Sequence, residues 1–316
     1  MELSQKVKTA LDEARMLILG VQILLGFQLR GAFSEAYQDR PVHARHLDGL
    51  GLILMVCAVA LLIAPGPYHR IVEGGEDSEE LHGVVTVLAD LALLPFALAL
   101  GIDVFVIFER IGNTAIGIAG GVTATFVALG FWYALPWLAV GASERAMTQK
   151  QPNARQKTPL HAKIEQMLTE ARMILPGAQA LFGFQLAIVL THAFEGLPDG
   201  SKIVHAVSIG LVALSVMLLM APAAYHRIVF AGEDSPAMHR VGSILITAAT
   251  LPLALGLAGD VYVVIGKIVG PHTGVWAGAL SLVLLLALWY AFPLIAARLR
   301  RRTAAGQRYG NPSPAE

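Results

Sequence analysis

Two short segments combine histidines, an arginine and acids at the same spacing. The first, YHRIVEGGEDSEELH, runs from Tyr68 to His82, and the second, YHRIVFAGEDSPAMH, from Tyr225 to His239. Imidazoles beside carboxylates can exchange a proton near neutral pH, and suitably spaced histidines can ligate a metal or a haem iron. The candidate residues are Tyr68, His69, Arg70, Glu76, Asp77, His82, Tyr225, His226, Arg227, Glu233, Asp234 and His239.

Acids also lie inside apolar stretches. Asp103 and Asp260 each follow a proline by eight positions, about twenty residues into a long apolar segment. A charge near the centre of a bilayer costs roughly 2.5–3.5 kcal/mol on insertion scales, so each acid needs a partner, a wet cavity or an interfacial position. Two interpretations stay open: a carboxylate that binds a proton or cation in an outward vestibule, or an interfacial acid paired with Arg45 or Lys202.

Further polar residues interrupt the apolar segments. Asp90 has Thr247 as its counterpart, which favours either an asymmetric function or a local hydrogen bond. The other candidates along an ion pathway occur in two matching sets: Arg15, Gln22 and Gln28, and Arg172, Gln179 and Gln185. A polar stripe on a membrane helix faces protein or water, so this stripe predicts packing between helices or the lining of a pathway.

The elements that must position these residues are membrane helices. The chain has 316 residues, of which 55% are hydrophobic and 15% charged, whereas soluble domains carry about 25% charged residues. A spanning helix needs roughly 20 mostly apolar residues. Eight stretches qualify, at 16–34, 48–66, 83–108, 114–140, 173–193, 203–223, 240–265 and 274–296. The predicted fold class is therefore an all-α integral membrane protein.

The basic residues predict the orientation. With the N-terminus inside, 17 of the 23 Lys and Arg residues lie on the inner side. Cytoplasmic loops of membrane proteins carry such an excess, and an even number of spans leaves both termini on that side. The first span is close to a segment in mid-chain, at 172–193, so it is expected to be retained rather than cleaved as a signal peptide.

The chain repeats itself at an offset of 157 residues: EARM occurs at 13–16 and 170–173, GFQL at 26–29 and 183–186. Four spans per repeat predict two parallel four-helix units related by a pseudo-twofold axis along the membrane normal. The expected boundaries are a first unit at 1–146, a cytoplasmic linker at 147–163, a second unit at 164–302 and a disordered tail at 303–316.

Helix-end chemistry explains much of the two polar segments. Gly75 suits a turn, and Asp77 or Ser78 suits the N-cap of the next helix, as Ser235 does in the copy. The expected remaining contacts are Arg70 with Glu76 and Asp77, and His69 with His82, at an inner gate with a pH-sensitive charge. The WYALP and WYAFP strings at 132–136 and 289–293 are expected to anchor the last span of each unit at the lipid interface.

EARM, PGAQALFGFQL, APAAYHRIV with GEDS, and PLALGLAGDVYVV together resemble the DUF6328 family, over about 15–145 and again over 172–296. The resemblance implies a short four-span bacterial membrane protein of uncharacterised function, present here as a tandem duplication in the inner membrane. Members of the family are often labelled as sodium:proton antiporters.

Three functions stay open: movement of protons or monovalent cations between the two units, a structural or accessory role in a larger membrane complex, and, less favoured, a bis-histidine haem bundle. The sequence contains no phosphate loop, nucleophile elbow or HExxH string, so no enzyme is predicted. It also lacks a haem attachment motif or a known metal signature, so no cofactor is predicted. Expected partners are lipid and another copy or a larger complex, not nucleic acid.

Overall fold

The computed structural model describes residues 3–37, 39–134, 158–230 and 233–309. Within these ranges the chain is helical and contains no strand. The eight long helical segments of the described chain are α1 (Leu3–Gly31), α2 (Val42–Glu73), α3 (Glu79–Ile111), α4 (Thr114–Ala134), α5 (Leu160–Val189), α6 (Asp199–Phe230), α7 (Pro236–Ile268) and α8 (Pro271–Arg302). Among the described residues, seven helices, α2 to α8, are long and apolar enough to cross a membrane.

Each predicted span coincides with one of these helices, and most of the helices are longer than predicted. Those of 30 to 33 residues measure about 45–50 Å, whereas the hydrocarbon core of a bilayer is about 30 Å thick. The linker predicted at 147–163 is described only from Thr158 and already enters α5 at Leu160. The last helix continues to Tyr309, inside the predicted tail. The end of the fourth predicted span, 135–140, lies outside the described residues.

The first helices of the two units pack against each other at the centre. One face of α1 is buried along its length, because apolar residues recur three or four positions apart. Glycines permit the close approach: a Cβ at Gly26 would lie 2.1 Å from the ring of Phe184, and one at Gly177 would lie 1.5 Å from Oε1 of Gln22. The rings of Phe27 and Phe184 are 4.6 Å apart.

The remaining contacts between the two units are not reciprocal. The first unit (α1 to α4) sends α2 against both α7 and α8 of the second unit (α5 to α8). The counterpart of α2, α6, makes its main contacts within its own unit, against α5 and α7. Trp289 of α8 is fully buried and donates its indole N–H to the carbonyl of Ala60 at 2.9 Å. The two units are therefore packed together on the side of the central α1–α5 pair where α2 lies.

Of the two aromatic strings near the ends of the units, the second contains the fully buried Trp289, whereas Trp132 and Tyr133 of the first are half-buried. Residues 135–136 of the first string lie outside the described residues, and the anchoring of both strings at a lipid interface stays a prediction. Both form π-helical turns, Gly130–Ala134 and Ala287–Ala291. Tyr290 binds the carbonyl of Thr247 at 2.8 Å, and Tyr133 binds the carbonyl of Asp90, its counterpart. The proline on the third helix of each unit has no backbone N–H, so a carbonyl about one turn earlier lacks its usual partner. That carbonyl region can accept a hydrogen bond from a side chain.

Candidate functional site: buried acids at the two ends of the bundle

The candidate residues gather at two ends of the bundle. The motif end is the end at which α2 meets α3 and α6 meets α7, with Tyr68–His82 and Tyr225–His239; the opposite end holds Asp103 and Asp260. At the motif end, α2 finishes in a π-helical turn, and Gly74 and Gly75 follow with φ of 61° and 80°. Ser78 then caps α3 by accepting the N–H of Leu81 at 2.9 Å, as Ser235 accepts that of Met238 at 3.0 Å. Both predicted caps are confirmed.

A carboxylate that the sequence analysis did not single out organises the first motif. Glu170 of α5 is 1% exposed and receives Nδ1 of His69 on one oxygen, at 2.5 Å, and the guanidinium of Arg70 on the other. Arg70 also donates its Nε–H to the hydroxyl of Thr247, at 2.8 Å. We call these four residues the Glu170 cluster. The structure therefore gives Arg70 and His69 partners in the second unit, and not the expected Glu76, Asp77 and His82.

The Glu170 cluster leaves donors and acceptors unused. Nε2 of His69 and Nη2 of Arg70 are buried without a hydrogen-bond partner among the described residues. The carboxylate of Glu170 can only accept, so Nδ1 of His69 donates its N–H in this hydrogen bond.

Glu76 and Asp77 of the first motif also bind α5 and the residues just before it. Glu76 accepts Nζ of Lys163 and, at 2.9 Å, the backbone N–H of Thr158. Partial burial raises the pKa of Glu76, but these hydrogen bonds outweigh it and hold the pKa below the usual range. Asp77 accepts from Gln166 at 2.8 Å; its burial raises the pKa of the carboxyl, and the hydrogen bonds only partly offset this.

The end of α8 completes the cover over the first motif. Arg300 contacts Glu73 at 2.6 Å and Glu80 at 2.8 Å, and the rings of Tyr68 and Phe292 stack at 5.4 Å. The side chain of Glu73 is only 4% exposed, so Arg300 neutralises a buried charge. The basic string at the end of α8, which predicted orientation alone, thus also binds the first motif.

The second motif is open where the first is covered. Arg227 and Glu233 are exposed, and Tyr225 and His226 are half-buried. Asp234 contacts His161 at 2.6 Å and His226 at 4.0 Å. His239 is the point at which the two motifs meet, because a Cβ on Gly75 would lie 2.6 Å from its ring.

At the opposite end, the two units share one interaction. Gln28 donates its amide to Asp103 at 2.9 Å, and Gln185 donates to Asp260 at 2.6 Å, over the same separation of 75 residues. Each bond joins the first helix of a unit to its third. Asp103 is half-buried, whereas Asp260 is 1% exposed. The sequence predicted all four residues as candidates, but not that Gln28 binds Asp103 or that Gln185 binds Asp260.

Asp260 has a second partner that Asp103 lacks. Nδ1 of His205 lies 3.3 Å from its Oδ1, and both side chains are 2% exposed. Nε2 of His205 lies 3.2 Å from the carbonyl of Gln185, which can only accept, so this nitrogen carries a proton. Oδ1 of Asp260 has no hydrogen-bond partner among the described residues, so the contact with Nδ1 is within ion-pair distance but is not a hydrogen bond. The carboxylate and the imidazole are thus buried side by side.

The model of a family of unknown function, DUF6328, matches this chain over residues 2–136 and again over 155–293. The chain belongs to DUF6328. The two matches are consistent with a tandem duplication of the family unit. No curated protein and no solved structure matches the chain.

Several further residues of this DUF6328 protein lie apart from these sites. Arg15, Arg172, Asp90 and Gln179 have exposed side chains, and none of the four side chains is seen in an ion pair or hydrogen bond with a described residue. Gln22 is 2% exposed and packs on Gly177, with both polar atoms of its amide unpartnered among the described residues. His82 is half-buried beside the start of α3, where its carbonyl accepts the hydroxyl of Thr86 at 2.8 Å.

Among the described residues, no three His, Cys, Asp or Glu side chains are placed to hold a metal ion. Thr158, Lys163, Gln166 and Glu170 are the site residues that the sequence analysis missed. The available signal was the amphipathic stretch at the start of α5, whose polar face binds the first motif, together with the repeated EARM string that contains Glu170.

Proposed function

We propose that this protein moves protons or another monovalent cation across the cytoplasmic membrane of a bacterium, by exchange of the arrangements of its two four-helix units. It crosses the membrane eight times, with α1 as the eighth span beside its counterpart α5, and the motif end faces the cytoplasm. The excess of Lys and Arg at that end supports this orientation. The protein acts without enzymatic chemistry, as a single chain or a homo-oligomer.

The proposal rests on one observation: matching residues of α1 and α5 do not make matching contacts. Gly26 receives the ring of Phe184, whereas its counterpart Gly183 has no atom within 4 Å of an added Cβ. Gly177 likewise receives Gln22, whereas its counterpart Gly20 has free space. If the two units exchanged arrangements, Gly183 and Gly20 would take up the close contacts that Gly26 and Gly177 make now. The two arrangements would then have similar free energies.

The motif end supports the same exchange. Glu13 is the counterpart of Glu170, Arg227 of Arg70, and Asp90 of Thr247 at the offset of 157. All three are exposed. In the exchanged arrangement Arg227 lies between two carboxylates, those of Glu13 and Asp90, as Arg70 now lies between Glu170 and Thr247. The acid at position 90 then has a partner, which an acid in an apolar helix needs.

The groups that carry the cation are Asp103 and Asp260. Asp260 and His205 are buried side by side away from water, and the half-buried Asp103 lines a cavity at the opposite end. One acid is thus occluded while its counterpart is accessible. Exchange of the two arrangements alternates the accessibility, which is the requirement for coupled transport.

The test is ion flux into proteoliposomes that contain the purified protein and a pH-sensitive dye. The wild type is expected to dissipate an imposed pH gradient faster than empty vesicles, and Asp103→Asn with Asp260→Asn to abolish the difference. Asp199→Asn is the matched control, because the side chain of Asp199 is 96% exposed at the opposite end. Unaltered flux in the double variant removes both acids from the mechanism. Flux in neither protein, with proton and Na⁺ gradients, contradicts transport and favours the structural role.

A further inference from the structure

A cavity of about 360 Å³ lies at the opposite end of the first unit, between α1, α2 and α3. Its polar side chains are Gln28, Arg40, Asp48 and Asp103. Arg40 contacts Asp48 at 2.6 Å, so the guanidinium is already neutralised. No Lys, Arg or His of the described chain lies within ion-pair distance of Asp103, whose one hydrogen bond comes from the neutral amide of Gln28.

The repeat identifies the residue of the second unit that corresponds to Asp48. The offset of 157 holds on both sides of this region, at Gln28 and Gln185 and again at Tyr68 and Tyr225. Position 48 therefore corresponds to position 205. The aspartate at 48 in the first unit is replaced by His205 in the second, and the ring of His205 lies against Asp260.

The two sites differ in charge by this replacement. In the second unit, the carboxylate of Asp260 faces the imidazole of His205. In the first unit, Asp48 and Asp103 share one cavity with Arg40, and Arg40 pairs with Asp48. Arg45 and Lys267 lie beside Tyr37, and neither contacts Asp103. Asp103 therefore has no cationic partner in the described chain, and an unpaired carboxylate in a low-dielectric setting favours one.

We propose that this cavity binds a small organic cation, a protonated amine with an apolar body, whose ammonium group contacts Asp103 as His205 contacts Asp260. Gln28 supports the assignment: its amide N–H is spent on Asp103, and its buried carbonyl oxygen has no partner in the described chain. An ammonium group has three donors, enough to bind both the carboxylate and this oxygen.

The walls of the cavity argue for an organic cation over a bare metal ion. Leu24, Phe27, Val106 and Ile107 supply most of the remaining lining. A dehydrated alkali ion needs a shell of oxygens in place of its water, which carbon walls do not provide. An aromatic face such as that of Phe27 attracts an ammonium cation. Phe27 and Ile107 are 58% and 54% exposed, so the apolar wall continues onto the apolar outer surface.

The inference supplies a substrate class to the proposed function and rests on it for transport, although binding itself needs no membrane. The experiment is therefore isothermal titration of the purified full-length protein in detergent, with phenethylammonium chloride as probe and sodium chloride as comparator. Saturable binding of the amine is expected, with at least tenfold weaker binding in Asp103→Asn and unchanged binding in Asp199→Asn.

A second variant keeps the result interpretable if Asp103→Asn misfolds. Asp48→His gives the first site the residue of the second, so its imidazole should occupy the cavity and weaken amine binding by at least tenfold in a folded protein. Equal binding in the wild type and both variants overturns the site, as does absence of saturable amine binding. Saturable binding of sodium that excludes the amine overturns the ligand class. Because no gradient is involved, failure here leaves the flux result standing, and the reverse also holds.

Discussion

The two motifs have nearly the same residues and opposite surroundings. The first is covered by α5 and α8, so that His69, Glu73, Asp77 and Ser78 are all buried. In the second, the counterparts of His69 and Asp77, which are His226 and Asp234, contact each other and the exposed His161 within the described part of the chain. The histidine, the arginine and the Glu-Asp-Ser string recur in both motifs, but Glu73 and Glu80, which bind Arg300, are replaced by Phe230 and Ala237 in the second. Among the described residues, helices of the other unit cover the first motif alone; residues 135–145, which correspond to the end of α8, lie outside the described ranges.

At the opposite end the order is reversed. There the first unit is the open one, with Asp103 in a cavity, and the second is closed around Asp260 and His205. Each unit thus has one open and one closed end, in opposite senses. In the proposed exchange of the two units, the open end of each unit would close and its closed end would open.

The largest effect is expected for Glu170→Gln compared with Glu13→Gln. Removal of the Glu170 charge leaves Arg70 buried without a counter-ion, and loss of one partner of a buried ion pair costs about 3–5 kcal/mol. Glu13 is exposed, so its replacement is expected to change the free energy of unfolding by less than about 0.5 kcal/mol. Thermal unfolding in detergent measures both changes.

The same pair of variants also separates the structural interpretation from the transport interpretation. If Glu13 has no role in an exchanged arrangement, Glu13→Gln leaves flux in proteoliposomes unchanged. If the arrangements exchange, flux falls although stability does not. A strong loss of stability in Glu13→Gln contradicts the asymmetry itself.

The elements of this fold were predictable from the sequence, but their pairing was not. Eight apolar stretches sufficed to predict the helices, because hydropathy and length decide a membrane span. Ser78 and Ser235 were predictable as caps, since their side chains satisfy free N–H groups locally. Arg70 was expected to bind the nearby Glu76 and Asp77, yet it binds Glu170, 100 residues away. Sequence proximity carries no information on contacts between packed helices.

The difference in contacts between the two units cannot be predicted from the residues that the units share. Glu13 and Glu170 lie in the same four-residue string, and Gly20 and Gly177 in closely similar ones, so local sequence gives no reason to prefer one. The difference between Asp48 and His205, in contrast, could be detected once the constant offset was applied on both sides. The sequence therefore contains the charge difference between the acid sites and that between the motifs, where Phe230 and Ala237 replace Glu73 and Glu80, but it does not show which helix lies over which motif.

An intermediate effect is expected for Gly177→Ala compared with Gly20→Ala. The added methyl at 177 would lie 1.5 Å from Oε1 and 2.7 Å from Cβ of Gln22, so the two helices must separate. Overpacking of this kind costs about 1–3 kcal/mol. At position 20 there is space, and alanine is expected to stabilise the helix by up to about 1 kcal/mol. Thermal unfolding distinguishes the two; equal destabilisation would show that both glycines are in close contact.

The smallest effect concerns pH at the first motif, where two adjacent acids are expected to act in opposite directions. The pKa of Glu76 is lowered in the folded protein, so its stabilising contribution is complete above its ordinary value and is lost as the pH falls through the folded pKa. The pKa of Asp77 is raised, so its contribution is present at low pH and is lost as the pH rises through the folded value. Glu76→Gln should therefore destabilise the protein at pH 7 and have little effect at low pH.

Asp77→Asn should do the reverse, stabilising at pH 7 while its amide oxygen can still accept the hydrogen bond from Gln166. Because Glu76 and Lys163 are partly exposed, each change is expected to be about 0.5 kcal/mol. Unfolding followed in detergent between pH 4 and 7 gives two difference curves of opposite sign. Equivalent substitutions in the open motif, Glu233→Gln and Asp234→Asn, should give flatter curves, since neither acid is covered by a helix of the other unit. Curves of equal slope in both motifs would mean that the cover over the first motif has no electrostatic consequence.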